Sequence, residues 1–173
     1  MKIIFLDIQG VLYINDYKRS LEQKGLNAFD IYGPKFAPPC VQNLEKLIET
    51  TQAKIVMSSS WRIMGWERAI ALWQDRQLPG ELISLTGQFP DLNRGGEIYQ
   101  WLQENGCHNE PPTITQYVII DDNNTMLQSQ QDNFVQTNTH EGFTQTNLQQ
   151  AIDILNRPRP NQKTANSHTD LPK

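Results

Sequence analysis

The sequence contains little cysteine and little histidine, and this excludes several kinds of metal and redox site. Its two cysteines, Cys40 and Cys107, lie far apart in the sequence and do not form a CxxC motif. Its three histidines, His108, His140 and His168, include no pair at a spacing typical of metal ligands. We therefore expect free thiols in a reducing compartment and histidines on the surface.

Long hydrophobic runs and an excess of basic charge are also absent. The apolar run near the N-terminus ends at Asp7, which makes it too short for a signal peptide or a membrane span. The formal net charge of −4 gives no overall field that would attract nucleic acid, although a local basic patch stays open. We expect a soluble cytoplasmic protein with no membrane partner; export by a route without a cleaved signal stays open.

What is present is an alternation of short apolar runs with amphipathic helical patterns. Such alternation predicts an α/β fold, a doubly wound and mainly parallel sheet with helices on both faces. We expect one domain over residues 1–156 and a disordered polar tail over residues 157–173, which has no apolar pattern. The three strongest predicted strands lie within Lys2–Leu12, Ala53–Ser60 and Tyr117–Ile120, with weaker ones at 81–86 and 134–137. Helices are expected from Pro38 and over 61–77, 97–105, 125–131 and 145–156.

Two further expectations concern segments beside the sheet. Residues 13–35 are polar and irregular, so we interpret them as a loop or small cap insertion above the mouth of the sheet, with a surface loop of no role equally open. In the helix at 61–77, Trp66, Ile70 and Trp73 recur at helical spacing and are expected in the core.

Polar residues with oxygen ligands follow each of the three strongest strands. Asp7, the serines 58–60 and the pair Asp121 and Asp122 occupy these positions. Since parallel strands end at the same edge of a sheet, these side chains can converge at one mouth. Carboxylates gathered there repel one another unless a cation is present, and oxygen-only ligands suit Mg²⁺. The sequence therefore predicts a magnesium-dependent phosphoryl-transfer site.

The motifs that carry these residues resemble those of a known superfamily. FLDIQGVL, AKIVMSSSWR, RGGEI followed by WL, and YVIIDD are similar to motifs of the haloacid-dehalogenase-like (HAD) phosphohydrolases. More narrowly, they resemble the HAD domain of bacterial Swiss-army-knife RNA repair proteins, over about residues 2–156. The resemblance implies a HAD-like Rossmannoid fold with a minimal cap, and it implies Mg²⁺ as cofactor.

The resemblance assigns expected roles to the acidic motifs. Asp7 would be the nucleophile that takes up the phosphoryl group as an aspartyl phosphate. Asp7 and Asp122 would ligate Mg²⁺, helped by the main-chain carbonyl of Gln9, and Asp121 would lie beside the ion. These residues form the expected metal site.

It also assigns residues that contact the phosphoryl group. Ser58 would donate a hydrogen bond to a phosphoryl oxygen, and the backbone N–H groups of Ser59 and Ser60 would assist. Arg94 would stabilise the phosphoryl charge from the start of a helix. Arg62 is the competing candidate for that role, and a surface ion pair is its structural alternative.

Gln9 departs from the pattern of the superfamily's phosphatases, which carry a second Asp at this position. That Asp protonates the leaving oxygen, whereas a carboxamide has no titratable proton. Loss of general acid–base help costs about 10²–10⁴-fold in rate. Three outcomes stay open: an enzyme for good leaving groups, a long-lived aspartyl phosphate, or a catalytically impaired module that binds a phosphate or a partner. The expected substrate is a phosphorylated small molecule, such as a nucleotide, or a nucleic-acid end; no specific protein partner can be inferred.

Overall fold

Five parallel strands form one sheet with the first strand at its centre, in a computed structural model that describes residues 1–106 and 113–158. In spatial order the strands are β5 (Leu82–Leu85), β4 (Lys54–Met57), β1 (Lys2–Leu6), β6 (Gln116–Asp121) and β7 (Phe134–Gln136). A separate antiparallel pair consists of β2 (Phe29–Asp30) and β3 (Gly33–Pro34). Each strand predicted for the sheet is therefore present.

Helices cover both faces of the sheet, which confirms the predicted fold class. They are α1 (Asn15–Gln23), α2 (Pro38–Thr51), α3 (Trp66–Asp75), α4 (Arg94–Glu104) and α5 (Gln145–Leu155), with 3₁₀ turns at Ser60–Met64 and Gln128–Asn133. Buried side chains of α2, α3 and α5 belong to the larger core on one face, and those of α4 belong to the smaller core on the other. In the described ranges no helix is both long enough and apolar enough to cross a lipid bilayer.

The central strand β1 contributes side chains to both cores. Ile4 and Leu6 pack into the larger core, and Ile3 and Phe5 pack into the smaller one. All four are fully buried, as expected for an apolar strand between two parallel neighbours. Asp7 follows directly and lies at the edge of the sheet where the strands end.

The segment predicted as a loop, residues 13–35, instead contains α1 and the β2–β3 hairpin. Sequence reasoning missed α1 because the helix is strongly polar and has only a narrow apolar stripe. Tyr17 packs against the larger core, and Leu21, one turn later, is buried. Lys18 and Glu22 form an i,i+4 ion pair on the exposed side of α1, with 3.1 Å between the Lys18 Nζ and a carboxylate oxygen of Glu22.

The hairpin is fixed to α3 rather than standing free above the sheet. Beyond the C-terminus of α3, the Arg76 guanidinium donates to both carboxylate oxygens of Asp30, at 2.9 and 2.7 Å. The same guanidinium lies 4.2 Å from the centroid of the Phe36 ring. Arg68 donates to the carbonyl of Ile31 at the tip of the hairpin, at 2.8 Å. The insertion therefore packs as part of the domain.

The single helix predicted over 61–77 is interrupted at Gly65, which has a φ of +82°. Its buried stripe runs through Ala69, Leu72 and Trp73. Trp66 was wrongly assigned to the core, since it is 44% exposed. A helical side chain covers the turn that precedes its own Cα, and Trp66 opens α3, so it projects past the start of the helix.

Two helix starts are explained by their caps. Asn93 accepts a hydrogen bond from the Gly96 N–H at 2.9 Å, so α4 begins at Arg94, three residues earlier than predicted. Thr144 caps α5 as predicted, and it accepts from the Asn147 N–H. Cys40 is a buried free thiol and His140 is exposed. The expectations for Cys107, His108, His168 and the tail from residue 159 lie outside the described residues.

The Asp30–Arg76 contact predicts an acid-dependent contribution to stability. Although burial alone would raise the pKa of Asp30, hydrogen bonds from Arg76 lower it overall. A pKa that is lower in the folded state stabilises the fold above the ordinary carboxyl pKa, and the contribution is lost as the pH falls. Asp30→Asn should therefore cost about 1 kcal/mol at pH 7 and much less near pH 3.

Urea unfolding at both pH values measures this effect. Asp91→Asn, which changes an exposed aspartate in the loop before α4, is the control and should leave stability unchanged at both. A cost for Asp30→Asn that is the same at pH 7 and pH 3 would contradict the account.

Candidate active site

Three aspartates meet where the central strands end. Asp7 follows β1 and its N–H donates to the Ile120 carbonyl of β6 at 2.9 Å, while Asp121 ends β6 and Asp122 follows it. Each contributes one carboxylate oxygen to a group whose members lie within 4.8 Å of one another. Asp7 and Asp121 are buried and Asp122 is half-buried. Asp7, Asp121 and Asp122 are therefore brought together, as the sequence predicted for the acidic strand ends.

This carboxylate cluster is held in an environment that disfavours its charge. Burial raises the pKa of Asp7, although hydrogen bonding to the Ser59 side chain and the nearby charge of Arg94 oppose the rise. Burial and then the charge of Asp7 raise the pKa of Asp121 to about 7. Arg94 offsets only part of the negative charge of the three carboxylates, and all of the cluster's ligand atoms are oxygens. Its residues therefore fit a divalent cation such as Mg²⁺.

Gly10 makes room for the third carboxylate. Its φ is +71°, and a Cβ at this position would overlap the carboxylate of Asp122. The Thr139 hydroxyl donates to the Asp122 carboxylate at 3.3 Å, and the Thr137 hydroxyl donates to the Gly10 carbonyl at 2.8 Å. Sequence reasoning missed both threonines. Their position in the sequence could have indicated them, because both threonines follow strand β7 in the same way that Asp7 follows β1 and Asp122 follows β6.

The three serines occupy different environments. Ser58 is buried, and its hydroxyl finds no hydrogen-bond partner within the described part of the chain. Ser59 is also buried; its hydroxyl accepts from the Trp61 N–H at 3.3 Å and is hydrogen-bonded to Asp7. Ser60 is exposed at the start of the 3₁₀ turn. Ser59 therefore helps to position Asp7, and Ser58 keeps a buried hydroxyl available.

Arg94 is the guanidinium that contacts the carboxylate cluster. It is the first residue of α4, and its Nη2 lies 3.9 Å from a carboxylate oxygen of Asp7. Its Nε lies 3.5 Å from a carboxylate oxygen of Asp121. Its Nη1 is buried and has no partner among the described residues. The N–H groups of Arg94 Nη1 are thus available for a ligand anion.

Arg62 is committed to other contacts. Its Nη2 lies 2.6 Å from a carboxylate oxygen of Glu97, and its Nη1 donates to the Ser59 carbonyl at 2.9 Å. The alternative weighed for Arg62 was a surface ion pair, but this pair is buried, with side chains only 9% and 8% exposed. Glu97 was not singled out from the sequence, although it lies one turn after Arg94 on α4.

Gln9 lies on the exposed side of the turn that follows Asp7. Gln9 is exposed. The N–H of the neighbouring Gly10 donates to the Tyr13 carbonyl at 2.8 Å, and this hydrogen bond closes the turn. The side chain is therefore exposed to solvent rather than packed in the core.

A family model supports the resemblance seen in the motifs. The model of the HAD domain in Swiss Army Knife RNA repair proteins matches residues 3–148. This range includes the carboxylate cluster, the serines, Arg62 and Arg94, and it confirms the similarity predicted from the sequence. No curated protein and no solved structure was found to match the chain.

The packing of Asp122 against Gly10 predicts a difference between two glycine substitutions. Gly25 has a φ of +68° and open space around it, so Gly25→Ala carries only the backbone cost of a left-handed conformation, about 1–2 kcal/mol. Gly10→Ala carries the same cost and also displaces the Asp122 carboxylate. It should therefore lower the free energy of unfolding by about a further 1–3 kcal/mol.

Urea unfolding of both variants at pH 7 tests this, with Gly25→Ala as the matched control. Equal losses of stability in the two variants would contradict the close packing of Asp122 on Gly10.

Proposed function

The chain belongs to the family of HAD domains found in Swiss Army Knife RNA repair proteins, and from that premise we propose that it is a Mg²⁺-dependent phosphohydrolase. The family implies phosphoryl-transfer or phosphatase-type activity. The proposal adds the metal, the phosphoester substrate and the roles of individual residues. The observation that carries it is the cluster of Asp7, Asp121 and Asp122 beside Arg94.

Asp7, Asp122 and the main-chain carbonyl of Gln9 would hold the cation, with Asp121 beside them. When bound, Mg²⁺ supplies positive charge that offsets the carboxylates and the phosphoryl oxygens. Asp121 also accepts the Asn123 N–H at 2.9 Å and contacts Arg94, so it helps to position that guanidinium.

The chain's own residues then act on the phosphoryl group in two steps. An oxygen of the Asp7 carboxylate attacks phosphorus, a bond forms between them, and the bond to the leaving oxygen breaks. Water then attacks phosphorus, releases inorganic phosphate and restores the carboxylate. The unpartnered Nη1 of Arg94 and hydroxyl of Ser58 are donors suited to the phosphoryl oxygens. Backbone N–H groups of Ser59 and Ser60 assist. Arg62 donates a hydrogen bond to the Ser59 carbonyl and so supports the serine segment.

Gln9 limits the chemistry of this site. Its amide can donate a hydrogen bond to the leaving oxygen but cannot transfer a proton. The enzyme should therefore favour leaving groups that need little protonation, such as those of acyl or aryl phosphates, or retain the aspartyl phosphate for longer. Gln9 also favours the second candidate function, a catalytically impaired module that binds a phosphate or a partner without turnover.

The substrate proposed is a phosphoester on a nucleotide or on a nucleic-acid end. The name of the family refers to RNA repair, and the small insertion at residues 13–35 packs as part of the domain rather than as a separate cap. An open mouth admits a large substrate. Because the net charge is −4, contacts should be confined to the terminal phosphate region rather than extend along the polyanion.

Replacing the proposed nucleophile tests directly whether the protein is a phosphohydrolase. Asp7→Asn should abolish Mg²⁺-dependent phosphate release from an aryl phosphate, because the amide cannot attack phosphorus. Phosphate release measured with and without Mg²⁺ checks this, and Asp153→Asn on the exposed side of α5 is the control that should keep full activity. Equal turnover in the wild type and Asp7→Asn would contradict the proposal. Tight binding of a phosphate analogue without turnover of any phosphoester would favour the impaired module.

Restoring the missing acid tests the role of Gln9. Gln9→Asp should raise hydrolysis of alkyl phosphates by about 10²–10⁴-fold, since their leaving groups need a proton. Hydrolysis of aryl phosphates should rise much less. The measurement is kcat/KM on one alkyl and one aryl phosphate at constant Mg²⁺; a substitution that lowers both equally would show that Gln9 does not occupy the acid position.

A further inference from the structure

A cavity of about 390 Å³ lies next to the candidate active site and has no role in the mechanism above. It is lined by the buried pair Arg62 and Glu97 on one side and by Gln88, Phe89 and Pro90 on the other. Its volume lies within the range usual for sites that bind small organic groups.

One chain of contacts and one helix connect the lining of this cavity to Asp7. Arg62 donates to the carbonyl of Ser59, whose side chain is hydrogen-bonded to Asp7. Glu97 lies one helical turn after Arg94, which contacts Asp7 directly. Arg62 therefore borders this cavity and also contacts Ser59, the residue hydrogen-bonded to Asp7, so a substituent of a phosphate at Asp7 can extend towards the cavity.

The wall of the cavity contains a buried donor without a partner. The Arg62 side chain is only 9% exposed, yet its Nε makes no hydrogen bond to any described residue. Because buried donors are nearly always paired, this nitrogen is a donor suited to a polar ligand in the cavity.

Gln88 and Phe89, which also line the cavity, have features typical of a site that binds an aromatic ring. The Phe89 ring is 38% exposed although it is a large apolar group, and Gln88, also exposed, carries an amide with both donors and an acceptor. A flat ring with polar edges that stacks on Phe89 and forms hydrogen bonds with the Gln88 amide satisfies both features. Nucleobases have that chemistry.

We propose that this cavity binds the nucleoside of a nucleotide whose phosphate lies at Asp7. The base stacks on Phe89, and Arg62 Nε donates to a polar atom of the nucleoside. The inference rests on the proposed phosphoryl site, and it names the substrate class. A free nucleotide and the terminal nucleotide of an oligonucleotide share this chemistry.

The test compares Phe89→Ala with two controls. Phe89→Trp keeps an aromatic face, and Phe29→Ala removes another phenylalanine of similar exposure, 43%, from the distant β2–β3 hairpin. The substrates are a nucleoside 3′-monophosphate, a 3′-phosphorylated oligonucleotide and glycerol phosphate, which has the phosphate but no ring. Phe89→Ala should raise KM for one or both nucleotide substrates by about tenfold to a hundredfold, with kcat little changed. KM for glycerol phosphate should not change, and Phe29→Ala should behave as wild type. Phe89→Trp, which keeps an aromatic face, should retain most of the nucleotide affinity that Phe89→Ala loses.

Binding measurements separate this inference from the proposed catalysis. Calorimetry with the Asp7→Asn variant measures nucleotide affinity with Mg²⁺ present and without turnover. If the wild type hydrolyses none of the substrates but Phe89→Ala still weakens nucleotide binding, the proposed catalysis fails and the nucleoside site remains supported. Unchanged affinity and unchanged KM in Phe89→Ala, equal effects on the nucleotides and glycerol phosphate, or no nucleotide binding at all would each overturn the inference.

Discussion

Mutual repulsion among Asp7, Asp121 and Asp122 is the constraint on which the rest of the site depends. Carboxylate oxygens within 4.8 Å of one another, on residues that are buried or half-buried, are unfavourable unless protons or cations compensate their charge. Arg94 compensates part of it, from 3.9 and 3.5 Å. The remaining excess of negative charge is what makes the cluster fit a divalent cation. Burial, and then the charge of Asp7, raise the pKa of Asp121 to about 7.

The fold keeps these charges together because the surrounding backbone fixes the positions of the charged residues. The strand before Asp7 is buried on both faces and pairs with parallel neighbours on both sides, so the position of Asp7 is fixed by the core. Gly10 leaves space that the Asp122 carboxylate occupies, and Asn93 starts α4 so that Arg94 lies over the sheet edge. Unfavourable electrostatics are thus imposed by packing elsewhere, a pattern typical of functional sites.

The central strands and the acidic cluster could be predicted from the sequence because each depends on a local pattern. An apolar run followed by Asp needs no knowledge of distant residues, and parallel topology brings such ends to one edge. The helix α1 could not be predicted in this way, because its apolar stripe is narrow and its Tyr17 packs on a core assembled by the rest of the chain. The partner of Arg62 could not be predicted either, because Glu97 is 35 residues away in the sequence. Only the tertiary fold brings the two residues together as a buried pair.

Stability as a function of Mg²⁺ concentration tests the central claim most directly. A cation that binds only the folded state adds RT ln(1 + [Mg²⁺]/Kd), about 2.7 kcal/mol at a concentration 100 times Kd. The account predicts such a gain in the wild type and little or none in Asp122→Asn, which without Mg²⁺ should be at least as stable as the wild type because one repelling charge is removed. No gain in the wild type, or an equal gain in both proteins, would contradict it.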